Sequence, residues 1–209
     1  MNRLVTVLIA GLLAAGPAIA QVGAADSLLD ANLASQQELE SLPEVDAVLA
    51  EVIIAGRPYL TPGDLDDVLA AAGRGDDQRA VIYGRLFRHL DLNTATDEEI
   101  MLIPGMTDRM AHEFEEYRPY TSLVQFRREI GKYVDADEVA RLEQYVFVPL
   151  DLNAATAEQL MTIPGMTERM VHEFEEYRPY ESIEQFRREI GKYVDADEVA
   201  RLESYVLLD

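Results

Sequence analysis

Two stretches of this chain carry residue types at spacings that could hold a phosphate. The first is the turn Gly105-Met106-Thr107-Asp108-Arg109, which returns sixty positions later as Gly165-Met166-Thr167-Glu168-Arg169. A glycine turn that opens a helix offers backbone N–H groups and the positive end of the helix dipole to an anion. Thr107 and Thr167, however, bring a side chain close to where the phosphate would sit. Asp108 and Glu168 place an acid on the first helical turn, where it repels phosphate. The letters fit a structural turn as well as a phosphate contact. The second stretch is Phe126-Arg127-Arg128-Glu129-Ile130-Gly131-Lys132-Tyr133, repeated with Arg187, Arg188 and Lys192 between Phe186 and Tyr193. Three cations against one acid make it the only locally basic run, and arginine forks beside a glycine suit a phosphate or an acidic side chain. Pairing with the many neighbouring glutamates is the alternative.

The other candidates are thinner. His112 and His172 each have a glutamate four residues on, Glu116 and Glu176, but two ligands do not close a metal site. Asp135, Asp137 and Glu138 lack the EF-hand spacing and glycine, and helix capping accounts for them. Tyr117, Tyr120, Tyr133 and Tyr145, with their copies, suit either base stacking or a small core with the hydroxyls at its rim. There is no serine matched to a histidine, no nucleotide loop and no carboxylate pair in an evident pocket. The sequence alone thus leads to a non-enzymatic chain without cofactor or metal.

Short helices must position these residues. Thr96 with Glu99, and Thr156 with Gln159, read as capping boxes. Ile100 and Ile103 give an apolar face, and Pro104-Gly105 stops the helix. Thr107 caps a second helix in which Met110, Ala111, Phe114 and Tyr117 recur at helical spacing, and Pro119 ends it. The following half again shows caps, Ser122 with Gln125 and Asp135 with Glu138. Its apolar face is Phe126, Ile130, Val139, Leu142 and Tyr145. Residues 91–149 and 151–209 agree at 45 of 59 positions, a tandem duplication. An earlier copy, residues 30–90, keeps Asn32, Ser35, Pro43 and Arg57-Pro58-Tyr59 at matching places, but its turn Pro43-Glu44-Val45-Asp46 has no glycine and two acids. No segment alternates as strands do.

The pattern Ile-Pro-Gly-Met-Thr-x-Arg-Met-Ala-x-x-Phe-x-x-Tyr-Arg, opened by Leu92-Asn93-Thr94-Ala95-Thr96 and closed by Tyr117-Arg118-Pro119-Tyr120, resembles the helix-hairpin-helix module of ComEA-like competence DNA receptors. The resemblance covers nearly all of the chain after residue 29. It implies an all-α tandem array of three helix-hairpin-helix units of about 60 residues, at 30–90 (degenerate), 91–150 and 151–209, the scale at which neighbouring units lean on one another. It also implies duplex DNA contacts without sequence preference. The candidate contacts are Gly105, Met106, Thr107, Arg109, Gly165, Met166, Thr167 and Arg169 at the turns, with Arg127, Arg128, Lys132, Arg187, Arg188 and Lys192 in the basic runs. The second glycine of the family turn is here Thr107 or Thr167.

Charge points elsewhere. Lys+Arg 18 against Asp+Glu 39 gives -21, a surface that repels polyanions and favours a cationic partner. With no cysteine, disulfides and thiolate chemistry are excluded. Met1-Asn2-Arg3, the apolar Leu4 to Ala15 and Ala18-Ile19-Ala20 read as a signal peptide over residues 1–20. A flexible lead follows at 21–29, with no later run long enough to span a membrane, so the expected location is the periplasm or the exterior. From sequence, the expected function is an acidic helix-hairpin-helix interaction and assembly module that binds a protein partner. Weak, salt-dependent duplex DNA binding of the DNA-uptake receptor type is the alternative.

Overall fold

The computed structural model describes residues 20–24 and 28–208. The expected signal peptide falls outside them except for Ala20. Four helices follow one another three times. The first run holds α1 (Gln36–Glu40), α2 (Ala47–Ala55), α3 (Pro62–Ala71) and α4 (Asp76–Tyr83); the second α5 (Asp97–Ile100), α6 (Asp108–Glu116), α7 (Leu123–Ile130) and α8 (Ala136–Glu143); the third α9 (Ala157–Leu160), α10 (Glu168–Glu176), α11 (Ile183–Ile190) and α12 (Ala196–Glu203). No described helix is long and apolar enough to cross a membrane.

Helix starts follow the caps. The Thr96 hydroxyl accepts from the Glu99 N–H at 3.2 Å while Glu99 accepts from the Thr96 N–H at 3.0 Å. Thr107 caps α6 by accepting from the Met110 N–H, which fixes where the helix begins and how the turn before it points.

The structure adds strands that the sequence does not show. Two-residue parallel pairs join the start and end of each run: β1 (Leu29–Asp30) with β2 (Leu86–Phe87), β3 (Leu90–Asp91) with β4 (Val146–Phe147), and β5 (Leu150–Asp151) with β6 (Val206–Leu207). Strands of two residues are too short to display a period of two. The expected flexible lead is also corrected in its first residues. Gln21 and Val22 are buried, and Val22 bridges Phe147 in antiparallel sense. One isolated valine leaves no periodic signature, so its docking was not legible.

Each run is tied by the same side-chain clamp. The Asn93 amide donates to the Tyr120 carbonyl at 2.9 Å and accepts from the Tyr120 N–H at 2.6 Å, while Arg118 donates to the carbonyls of Leu92 and Ala95. Asn32 with Tyr59 and Arg57 repeat it, and Asn153 with Tyr180 repeat its amide part, while Arg178 keeps only the bond to the Leu152 carbonyl. Inside the clamp, Phe114 and Phe126 pack edge to face at 5.2 Å, as do Phe174 and Phe186 at 5.1 Å. Between runs Phe87 meets Tyr145, and Phe147 meets Tyr205. Arg88, fully buried, joins all three. It donates to the Tyr59 carbonyl and to the Ser204 hydroxyl, and its guanidinium lies 4.2 Å from the centre of the Tyr205 ring. A buried guanidinium is tolerable only when its N–H groups find acceptors, as they do here.

Candidate functional site

The turns between α5 and α6 and between α9 and α10 share one geometry. Gly105 and Gly165 have φ of +77° and +75°, the left-handed region that glycine enters without strain. The first run keeps this turn without the glycine: Glu44 takes φ +62° in the matching place. Met106 N–H donates to the Ile103 carbonyl and closes the turn. The N–H groups of Thr107, Asp108 and Arg109 have no acceptor among the described residues and are the free donors at the start of α6. Thr107 turns its hydroxyl back onto the Met110 N–H.

An arginine that sequence reasoning missed secures each turn. Arg141, from α8, donates to the Pro104 carbonyl at 2.7 Å while Glu138 grips its other edge with two bonds of 2.7 Å. Arg201 and Glu198 do the same for Pro164. The bond from Glu138 raises the Arg141 pKa, and the guanidinium in turn holds Glu138 below the usual carboxylate range. The Glu-x-x-Arg spacing was the available signal, but nothing local says that its second edge reaches a turn 37 residues away.

Identical letters do not make identical sites. The Leu33 side chain, from the first run, closes on the Gly165 turn: a Cβ there would come within 3.0 Å of it. Met166 is buried and the Arg201 side chain is 3% exposed. Around Gly105 only Arg141 approaches among the described residues, and its side chain keeps 34% exposure. The second-run turn is therefore the open one.

Arg109 and Arg169 stand exposed one step into α6 and α10. Their guanidinium groups lie 5.9 and 5.8 Å from the ring centres of Tyr133 and Tyr193, and neither has a carboxylate partner among the described residues. Asp108 and Glu168 are exposed beside them.

The six cations of the basic runs are all paired. Arg127 forks onto Glu143 and Arg187 onto Glu203. Arg128 and Lys132 converge on Glu129, and Arg188 and Lys192 on Glu189. The Lys132 ammonium, then Arg128, hold the Glu129 carboxyl below its ordinary range, and the same holds for Glu189. Lys132 also sits 4.6 Å from the centre of the Tyr117 ring. The positive charge of the basic runs is matched by neighbouring carboxylates at the surface. The turns and the basic runs are thus not one surface of free cations.

The tyrosines divide. Tyr120 and Tyr180 are buried in the core, and the hydroxyls of Tyr117 and Tyr133 bond each other at 2.7 Å. His112 lies 3.7 Å from Glu116 and His172 3.5 Å from Glu176, both on exposed helix faces.

Against this geometry, known proteins give a specific result. The chain is similar to the endonuclease/exonuclease/phosphatase family domain-containing protein 1 of Xenopus laevis, 31% identical over 129 aligned positions that cover 46% of this chain and 23% of that protein. The proteins of the same name from Homo sapiens, 28% identical, and Bos taurus, 30% identical, are matched over 54% and 47% of this chain and 25% of their own length. Their name says that they contain an endonuclease/exonuclease/phosphatase family domain. The chain spans about a quarter of the length of these curated relatives. No family model and no solved structure matches it.

Three expectations are corrected on this finding. The relatives do not bear the name of a ComEA-like helix-hairpin-helix protein, so the assignment by resemblance does not stand. The non-enzymatic interaction module falls, as does the expectation that the chain is not an enzyme; the DNA-uptake receptor gains no support. The physical reason lies in the clamp. The letters that carried the resemblance, Leu92-Asn93-x-Ala95-Thr96 and Tyr117-Arg118-Pro119-Tyr120, bond to each other inside each run. They report a scaffold, and a scaffold does not name an activity.

Proposed function

We propose that this chain takes part in phosphoester hydrolysis of the nuclease or phosphatase type, and that its open turn, Gly105 to Arg109, contacts the phosphate of the substrate. The observation that carries the reading is the similarity to proteins with an endonuclease/exonuclease/phosphatase family name, at 28% to 31% identity. The geometry of the turn supports it. Three free N–H groups lie at the start of the nine-residue α6 with an exposed arginine, Arg109, on its first turn, and such groups favour a phosphate oxygen. Asp108 weakens that contact by charge repulsion, and the exposed Arg109 beside it offsets that charge. We read each four-helix run as one helix-hairpin-helix unit, with the third-run turn serving mainly to pack against Leu33.

The test is hydrolysis itself. The protein is incubated in magnesium-containing buffer with a labelled oligonucleotide and, separately, with p-nitrophenyl phosphate. Cleavage of either, with a KM raised in Arg109→Ala, is the expected result. No turnover of either substrate across independent preparations would remove the proposal.

A further inference from the structure

The residues ahead of β1 occupy the outer edge of one strand pair. The Gly23 N–H donates to the Val146 carbonyl at 3.0 Å, and the Val148 N–H donates to the Gln21 carbonyl at 2.8 Å. Gln21-Val22-Gly23 therefore extends the β3–β4 pair, antiparallel to β4. Val22 packs with Phe147 and Leu150, and His89 reaches the Gly23 carbonyl at 3.0 Å. Glycine is required in this place because a Cβ would overlap the Glu143 carbonyl. Under this segment Val146, Phe147 and Val148 are 0%, 2% and 2% exposed.

The third run presents the same edge uncovered. Glu203, Tyr205 and Val206 stand where Glu143, Tyr145 and Val146 stand, and Arg187 forks onto Glu203 as Arg127 does onto Glu143. The Val206 carbonyl and the Leu208 N–H correspond to the two groups that hold Gln21 and Gly23, yet they have no partner among the described residues. Val206, Leu207 and Leu208 are only half-buried. A groove of about 380 Å³ is walled by Gly191, Val199, Ala200 and Glu203; its second-run counterpart is lined in addition by Ala24, the residue after the docked segment.

We propose that the outer edge of β6 is a docking site for one extended strand of another polypeptide, carrying a β-branched residue followed by glycine. An unpaired edge accepts such a strand through its main chain, and side-chain pockets then select it. The chain displays the complementary chemistry in its own Val22-Gly23. Two backbone bonds set the register, Leu207 takes the place of Phe147 as the apolar contact, and the Glu203 carbonyl excludes any residue larger than glycine at the close approach.

The experiment uses the full-length, isotope-labelled protein and a synthetic peptide with the sequence of Ala20 to Ala24. We expect saturable shifts of the Val206, Leu207 and Leu208 amides and about tenfold slower hydrogen exchange at Leu208. The same peptide with Gly23→Val should produce neither. No saturable shift up to millimolar peptide, equal shifts from the glycine and valine peptides, or shifts confined to Val146 and Val148 would each overturn the proposal. The last would mean exchange with the chain's own segment. None of these outcomes depends on hydrolytic activity.

Discussion

Arg141 donates to the Pro104 carbonyl at 2.7 Å, so the last helix of the second run grips the turn between its first two. Arg201 repeats the bond to Pro164 at 2.8 Å, but with its side chain 3% exposed instead of 34%. The two bonds are chemically equal and electrostatically unequal. Removing Arg141 leaves Glu138 and the Pro104 carbonyl open to water, whereas removing Arg201 leaves a cavity and the Pro164 carbonyl without its partner at a buried place. We expect Arg141→Ala to cost about 1 kcal/mol, discounted for solvent screening, and Arg201→Ala about 2 to 3 kcal/mol. Urea unfolding of both variants decides it; equal losses would refute the burial argument.

The Asn93–Tyr120 clamp makes a second expectation. Asn93→Ala removes both bonds and leaves the Tyr120 N–H and carbonyl without their partner, at a cost of about 1 to 3 kcal/mol. A thermal melt in which Asn93→Ala matches the wild type would show that the clamp is dispensable.

Glu44 holds a left-handed turn with φ +62° where the other runs use glycine. Its carboxylate accepts from Gln78 at 2.7 Å on the exposed surface, a bond of small value. Relief of the backbone strain should win: Glu44→Gly should stabilise by about 0.5 to 1 kcal/mol. A lower Tm for the variant would mean that the Gln78 contact matters more than the turn.

Alkaline pH should unfold the protein early. Burial pushes the Tyr59 hydroxyl up to about 12, and burial first of all raises Tyr83, Tyr120, Tyr180 and Tyr205 further. With folded pKa values above the unfolded value of 10, these groups leave stability intact below pH 10 and remove it as pH rises toward their folded values. Tyrosinate absorbance and circular dichroism followed together from pH 9 to about pH 12 should change in one cooperative step. Gradual ionisation with an unchanged helix signal would contradict the burial account.

How much of this could be read from the letters depends on distance along the chain. Thr96 and Glu99, three residues apart, announce their helix start by themselves. Arg127 meets Glu143 sixteen residues away, and Arg141 meets Pro104 thirty-seven away. Local spacing sets neither meeting. The same limit hid Arg88 and His89, which look like ordinary surface polar residues and are buried at the meeting of the runs. It also misdirected the functional reading. Asn93, Arg118 and Tyr120 look like a functional signature because they recur together, yet they recur because they bond to one another. The inequality of the two turns was equally invisible, since Gly105 and Gly165 sit in almost the same letters and only Leu33 separates them.

The central claim is that the open turn contacts the phosphate of a substrate the protein helps to hydrolyse. Steady-state cleavage of a labelled oligonucleotide by the wild type, Arg109→Ala and Arg169→Ala tests it most directly. The account expects turnover by all three, with KM raised about tenfold for Arg109→Ala, one lost charge-assisted contact, and about twofold or less for Arg169→Ala. Turnover with the same KM in all three would contradict the assignment of the turn, and no turnover by the wild type would contradict the function.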